Sequence, residues 1–60
     1  MKLRLIVLKE RFDDWMAAGG YIVTDIQKDV MGKEYRIITG RGSTLRAIPF
    51  DTYYLILPKK

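Results

Sequence analysis

The chain has 60 residues, no cysteine and no histidine, and its 11 Lys and Arg against 7 Asp and Glu give a net charge of +4. A chain this short is expected to form one domain, residues 1–60, and it buries only about 60% of the surface that its unfolded form exposes. Without Cys and His it has no disulfide and no side chains for a structural zinc site, and it lacks the commonest general base and the thiol nucleophile.

The distribution of apolar residues predicts five strands. A first strand is expected over residues 2–9, where apolar and polar side chains alternate before the strand turns apolar on both faces. Residues 11–20 are predicted to form a long loop with one short helical turn, which Asp13 caps and the two glycines end. The other strands are expected over residues 21–27, 34–39, 43–48 and 53–57.

Turn chemistry predicts the pairing of the central strands. If residues 40–42 form a three-residue hairpin loop with Gly42 in the left-handed conformation, Ile37 faces Leu45 and Arg36 faces Arg46. If residues 29–32 close the preceding hairpin, the expected opposite pairs are Ile26 with Tyr35, Asp25 with Arg36, and Val23 with Ile38.

These pairings assign a core face and an outer face, and a slip of one residue would exchange the two. The expected core face carries Ile22, Ile26, Tyr35, Ile37, Leu45 and Ala47. The expected outer face carries Tyr21, Val23, Asp25, Arg36, Ile38 and Arg46.

The order of elements resembles that of SH3-like barrels. In both, a strand and a long irregular loop precede three meandering strands, and an Ile-Pro pair, a turn and a short strand follow. Residues 48–53 are similar to the Ile-Pro segment, with its following Tyr, that forms a 3₁₀ turn between the last two strands of those barrels. The resemblance implies an all-β, five-stranded SH3-like barrel with one short helical turn in the first long loop.

The same layout is similar to KOW-type barrels and to the DNA-binding barrel of retroviral integrases. Signalling SH3 domains carry an Ala-Leu-Tyr-x-Tyr motif in the long loop, which this chain lacks, so recognition of proline-rich peptides is not expected. Because one fold hosts many functions, the fold alone predicts none of them.

The remaining candidates for catalysis have structural explanations. Ser43, the only serine, stands beside a hairpin turn, where a hydroxyl is expected. Asp13 and Asp14 are typical of a helix start, and Gly40–Gly42 lacks the strand-to-helix context of a phosphate-binding loop. We therefore expect a binding module that is not an enzyme and that has no metal and no cofactor.

Two classes of partner fit this expectation. The first is a protein partner or a second copy, because aromatic and apolar side chains dominate protein interfaces; the predicted contacts are Trp15, Tyr21, Val23 and Ile38. The chain also resembles compact accessory proteins and host-directed inhibitors of phages and mobile elements, which implies a protein target. A structural alternative remains open, in which Trp15 and Phe12 close one end of the barrel.

The second class is nucleic acid. Arginines that face each other across strands repel unless an anion binds between them, and aromatic side chains nearby offer stacking platforms. The predicted contacts are Arg36, Arg41, Arg46, Lys28 and Lys33. A pairing of Asp25 with Arg36, or a tyrosine that covers a guanidinium, is the alternative explanation for these arginines.

The N-terminal segment and the overall hydropathy bear on the cellular location of the protein. The apolar run of residues 3–8 is too short for a signal peptide, and no segment reaches membrane-spanning length. We expect a cytoplasmic protein without a membrane partner, and the run from Met1 to the charged tail suggests a complete small gene product.

Overall fold

A computed structural model describes residues 5–59. It contains one five-stranded antiparallel sheet, in the order β1-β5-β4-β3-β2. The elements are β1 (Leu5–Leu8), a 3₁₀ helix (Lys9–Arg11), α1 (Phe12–Gly19), β2 (Ile22–Lys28), β3 (Glu34–Gly40), β4 (Ser43–Pro49) and β5 (Tyr53–Pro58). An all-β fold with a short helix is thus confirmed, while residues 2–4 of the expected first strand lie outside the described residues.

The helix is longer than the single turn expected, with eight residues after the 3₁₀ helix. Asp13 does not cap it, because Arg11 occupies the cap position and makes no side-chain hydrogen bond there. Asp13 and Asp14 lie in the first turn instead, where their charge favours the helix dipole. Gly20 ends the helix at φ 73°, and its N–H donates to the carbonyls of Met16 and Ala17.

The core lies between α1 and one face of the sheet, which we call the inner face. Its buried residues form one cluster, against which Trp15, Met16 and Tyr21 pack. The cluster consists of Val7, Phe12, Ile38, Leu45, Ala47, Tyr54 and Ile56. The opposite side of the sheet is the outer face.

The β3–β4 hairpin differs from the prediction by one residue. Its loop is the two-residue turn Arg41-Gly42, with φ of 54° and 73°, and Gly40 pairs with Ser43. Positive φ at both central residues gives the twist that suits a tight hairpin. The predicted positive φ at Gly42 is confirmed, whereas the three-residue loop is wrong.

This shift exchanges the two faces of β3. Ile38 faces Leu45 and Arg36 faces Ala47, while Ile37 faces Arg46. The predicted pairs of Ile37 with Leu45 and Arg36 with Arg46 are therefore wrong.

A β-bulge alters the pairing of β2 with β3. Val23 faces Ile38, as predicted, but the register shifts between Val23 and Asp25. Beyond the shift, Asp25 faces Ile37. The extra residue, Thr24, donates a hydrogen bond from its hydroxyl to the Ile37 carbonyl at 3.3 Å.

The predicted pairs beyond the bulge are wrong for the same reason. Ile26 faces Arg36 and Gln27 faces Tyr35. Of the predicted core residues, Leu45 and Ala47 are buried on the inner face, as expected. Ile37 is also buried, at 4% exposure, but it lies on the outer face, where Ile22 and Tyr35 lie as well, and Ile26 is 54% exposed.

The last two strands form a hairpin where the resemblance implied a 3₁₀ turn. Pro49 pairs with Tyr54, and the Phe50 N–H donates to the Tyr53 carbonyl at 2.8 Å. The rings of Phe50 and Tyr53 stack at 5.2 Å. This tight connection keeps β4 and β5 adjacent in the sheet.

Ile38 tests the observed register. It is fully buried in the core, so Ile38→Ala should lower the free energy of unfolding by about 2–4 kcal/mol, most of the stability of so small a core. Ile22→Ala is the matched control, because Ile22 is 63% exposed and should change stability by less than about 0.5–1 kcal/mol. Equal effects in urea denaturation would contradict the assignment of the faces.

Gly40 and Gly42 should respond differently to a methyl group. A Cβ on Gly40 would lie 2.5 Å from the Gly20 carbonyl oxygen and 2.8 Å from the Tyr21 ring, whereas a Cβ on Gly42 meets no atom within 4 Å. Gly40→Ala should therefore displace Tyr21 and change the emission of Trp15, which stacks on it. Gly42→Ala should cost about 1–2 kcal/mol through its positive φ and leave that emission unchanged. The reverse pattern in fluorescence would refute the close approach.

Candidate functional site

The outer face of the sheet is unusually apolar. Ile6 pairs with Leu55, and Leu55 pairs with Ile48 on its other side. Because Arg36 pairs with Ala47, Tyr35 lies beside Ile48. These four side chains, Ile6, Leu55, Ile48 and Tyr35, cross four strands, and we call them the outer row.

More apolar side chains flank the outer row. Leu8 and Tyr53 pair on one side of it, and Leu57 lies on the other. Ile6 is 66% and Leu8 46% exposed. Among the described elements, α1 packs against the inner face. On the outer face, Ile37 is 4% exposed between Arg46 and Asp25, and Leu55, Ile48 and Tyr35 are half-buried. A sheet with apolar residues on both faces is typical of a sheet that is covered on both faces.

Two charged side chains of the described strands lie on the outer face, one on each side of Ile37. Arg46 pairs with Ile37 from β4, and Asp25 pairs with it from β2. The Asp25 carboxylate accepts hydrogen bonds from the Ile26 N–H at 2.8 Å and the Gln27 amide at 3.2 Å. Arg46 Nε is buried without a hydrogen-bond partner among the described residues, a state that costs free energy.

The predicted protein contacts lie on the inner side of the sheet or at its edge. Ile38 is fully buried, so its predicted exposure is wrong. Val23, its partner across the strands, is 41% exposed on edge strand β2. The Tyr21 ring stacks on Trp15 at 5.2 Å and covers Gly19 and Gly40. These contacts give Tyr21 a structural role.

Trp15 combines packing with access to a groove. It stacks with Phe12 at 6.2 Å and packs against the core, so the alternative in which Trp15 and Phe12 close the core agrees with the structure. Trp15 also lines a groove of about 530 Å³ beside edge strand β1, together with Leu5, Ile6, Val7, Leu8, Arg11 and Asp14. The groove therefore reaches from Trp15 to Ile6 in the outer row.

The predicted basic residues do not share one face. Arg36 lies on the inner face, where its guanidinium donates to the Tyr54 hydroxyl and sits 5.4 Å from the centre of that ring. Lys9 approaches the same ring at 5.8 Å. Arg46 lies on the outer face, so the expected repulsion between Arg36 and Arg46 does not arise. A tyrosine that covers a guanidinium was the alternative explanation, and Tyr54 does so for Arg36.

The other predicted basic residues lie at loops and strand ends. Arg41 is exposed at the β3–β4 turn. Lys28 pairs with Glu34 at the end of β2, and the Lys33 amine lies 4.5 Å from the centre of the Phe50 ring. The five predicted cations are thus distributed over two faces and two loops.

Sequence reasoning missed the apolar tip of the β2–β3 hairpin. Val30 is fully exposed and Met31 86% exposed. Asp29 orders the tip, because its carboxylate accepts hydrogen bonds from the Met31 N–H at 2.8 Å and the Lys33 N–H at 3.0 Å. Asp followed by Gly32 three residues later is the sequence signal for such a turn.

No protein-family model, curated protein or solved structure matches this chain. Within residues 5–59, neither helix has the length and apolar character needed to cross a membrane. The described part of the chain also holds no group of three or more metal-ligating side chains.

Tyr21→Ala tests the structural role of Tyr21. Loss of the stacked ring should expose Trp15, shift its fluorescence to longer wavelength, and lower stability by about 2–3 kcal/mol. Tyr53→Ala is the matched control, because Tyr53 is also half-buried but stacks with Phe50. The Trp15 emission of the Tyr53→Ala variant should match that of the parent chain. An unshifted spectrum for Tyr21→Ala would contradict the observed stack.

Proposed function

We propose that this chain is a non-enzymatic binding module that engages a protein partner through the outer face of its sheet. One observation carries the proposal: the sheet is apolar on both faces, while α1 packs against the inner face. When one face of an antiparallel sheet is solvated, that face is usually polar. Contiguous apolar surface on a small protein marks an interaction site.

The proposed contacts differ from those expected from the sequence. The outer row and Leu8 form their centre, since they are neighbouring apolar side chains on the face opposite α1. Trp15 is retained at the rim, because the groove along β1 joins it to Ile6. Tyr21 and Ile38 are excluded by their packing in the fold.

The placement of the arginines favours a protein partner over nucleic acid. Binding to a polyanion needs cations concentrated on one surface. Arg36 and Arg46 lie on opposite faces of the sheet, and Arg36 is engaged with Tyr54. A nucleic-acid contact would thus be built from Arg41 and scattered lysines. That arrangement supports the alternative less well than the outer face supports a protein contact.

The proposal also includes a fold classification, a non-enzymatic role and a cellular role. An SH3-like classification is supported by the order of elements and by the five antiparallel strands. A non-enzymatic role is supported by the lack of His and Cys in the sequence. A cytoplasmic, phage-type inhibitor or accessory protein stays a prediction based on size and resemblance.

Photocrosslinking tests the proposed surface. A photoreactive phenylalanine analogue at position 6 should crosslink to protein when cells that produce the chain are irradiated, because Ile6 is 66% exposed in the outer row. The same analogue at position 26 is the control, since Ile26 is 54% exposed on β2 but points to the inner side. Crosslinks from position 26 alone, or protein crosslinks from neither position, would refute the proposal.

A further inference from the structure

We infer that the partner at the outer face is a second copy of this chain, packed outer row against outer row about a two-fold axis that runs along the row. The inference rests on the proposed function, because it names the partner for the same surface. In a two-fold interface each residue on the axis meets its own copy. Such a surface must be complementary to itself.

The outer row meets this condition through its side chains. Ile6, Leu55 and Ile48 are aliphatic and Tyr35 is aromatic, so no charge in the row would face its own copy. The charged strand residues of the outer face, Arg46 and Asp25, lie beside the row and off the proposed axis, and so does Lys59, opposite Thr44. A chain with a net charge of +4 can therefore associate with itself here without placing like charges in contact at the axis.

The size of the molecule also suits a dimer interface. The molecule measures 31 × 25 × 23 Å along its principal axes. A broad side of these dimensions is comparable with the ~800 Å² that each partner contributes to a standard protein interface. Two sheets that pack face to face keep their strands nearly aligned at a separation of about 10 Å, which an axis perpendicular to the strands allows.

The same axis supplies an acceptor for Arg46. On β4, Ile48 lies on the axis, so position 46 of one copy lies opposite position 50 of the other. The neighbouring residue, Asp51, is exposed in the β4–β5 turn. The Asp51 carboxylate of the second copy thus comes close to the terminal nitrogens of the Arg46 guanidinium, while the Nε atom stays buried within its own chain. Two equivalent pairs of this kind, one on each side of the row, fix the register of the dimer.

Sedimentation equilibrium over a wide range of protein concentration tests the inference. The parent chain should be a dimer at high concentration. Ile6→Lys should raise the dissociation constant roughly a hundredfold or more, because it brings two lysines together at a desolvated axis. Ile26→Lys is the matched control, with 54% exposure against 66% for Ile6, and it should dimerise as the parent chain does.

Exchanging the charges of Arg46 and Asp51 tests the proposed pairing between the two copies. This test does not depend on whether Ile6→Lys folds. Arg46→Glu and Asp51→Lys should each weaken the dimer about tenfold, and the double variant should recover most of the parent affinity. Additive losses in the double variant would overturn the proposed register. Circular dichroism of each variant separates dissociation from unfolding.

The outcomes separate this inference from the proposed function. A parent chain that stays monomeric at every concentration overturns the second copy as partner. If position 6 nevertheless crosslinks to a different protein, the proposed function stands. A dimer that Ile26→Lys dissociates and Ile6→Lys does not would place the interface on the inner side and overturn both.

Discussion

The fold depends on the backbone geometry of one turn. Positive φ at Arg41 and Gly42 lets the chain reverse over two residues. That reversal sets Ile38 opposite Leu45 and so turns Ile38 toward α1. A loop one residue longer would turn Ile37 inward with the same chemistry but a different set of neighbours. The choice between two adjacent isoleucines is therefore made by the turn, since both side chains are equally suited to a core.

The turn also determines what remains on the surface. With Ile38 inside, the alternate residues of β3 face outward, where they join apolar side chains from β1, β4 and β5. The helix has eight residues and packs against one face. A domain this small gains little stability from one core, and its second apolar face is a source of further burial on association. Under the proposed function, stability and partner binding thus depend on the same sheet.

The sequence predicted the elements better than their pairing. Strand ends came within one residue for β2 to β5, because the glycines, Pro58 and the β-rich runs mark them locally. The register failed at Gly40-Arg41-Gly42, where two glycines make a two-residue and a three-residue loop equally plausible, and where the left-handed Arg41 has no local signal. No local sequence signal marks the bulge at Thr24 either. The register error at the β3–β4 turn moved Ile38 and Tyr21 into the predicted contact surface, while the bulge altered only the pairs beyond Val23. Of the predicted contacts, Trp15 stays at the rim of the proposed surface.

The bulge at Thr24 has a consequence for the behaviour of the chain in crowded solution. β2 is an edge strand of seven residues, and an unpaired edge of that length is a template on which other chains can add strands. The register shift between Val23 and Asp25 breaks the regular spacing of outward N–H and C=O groups that such addition requires. Thr24 thereby discourages fibril growth along the sheet edge while leaving the broad face free to associate.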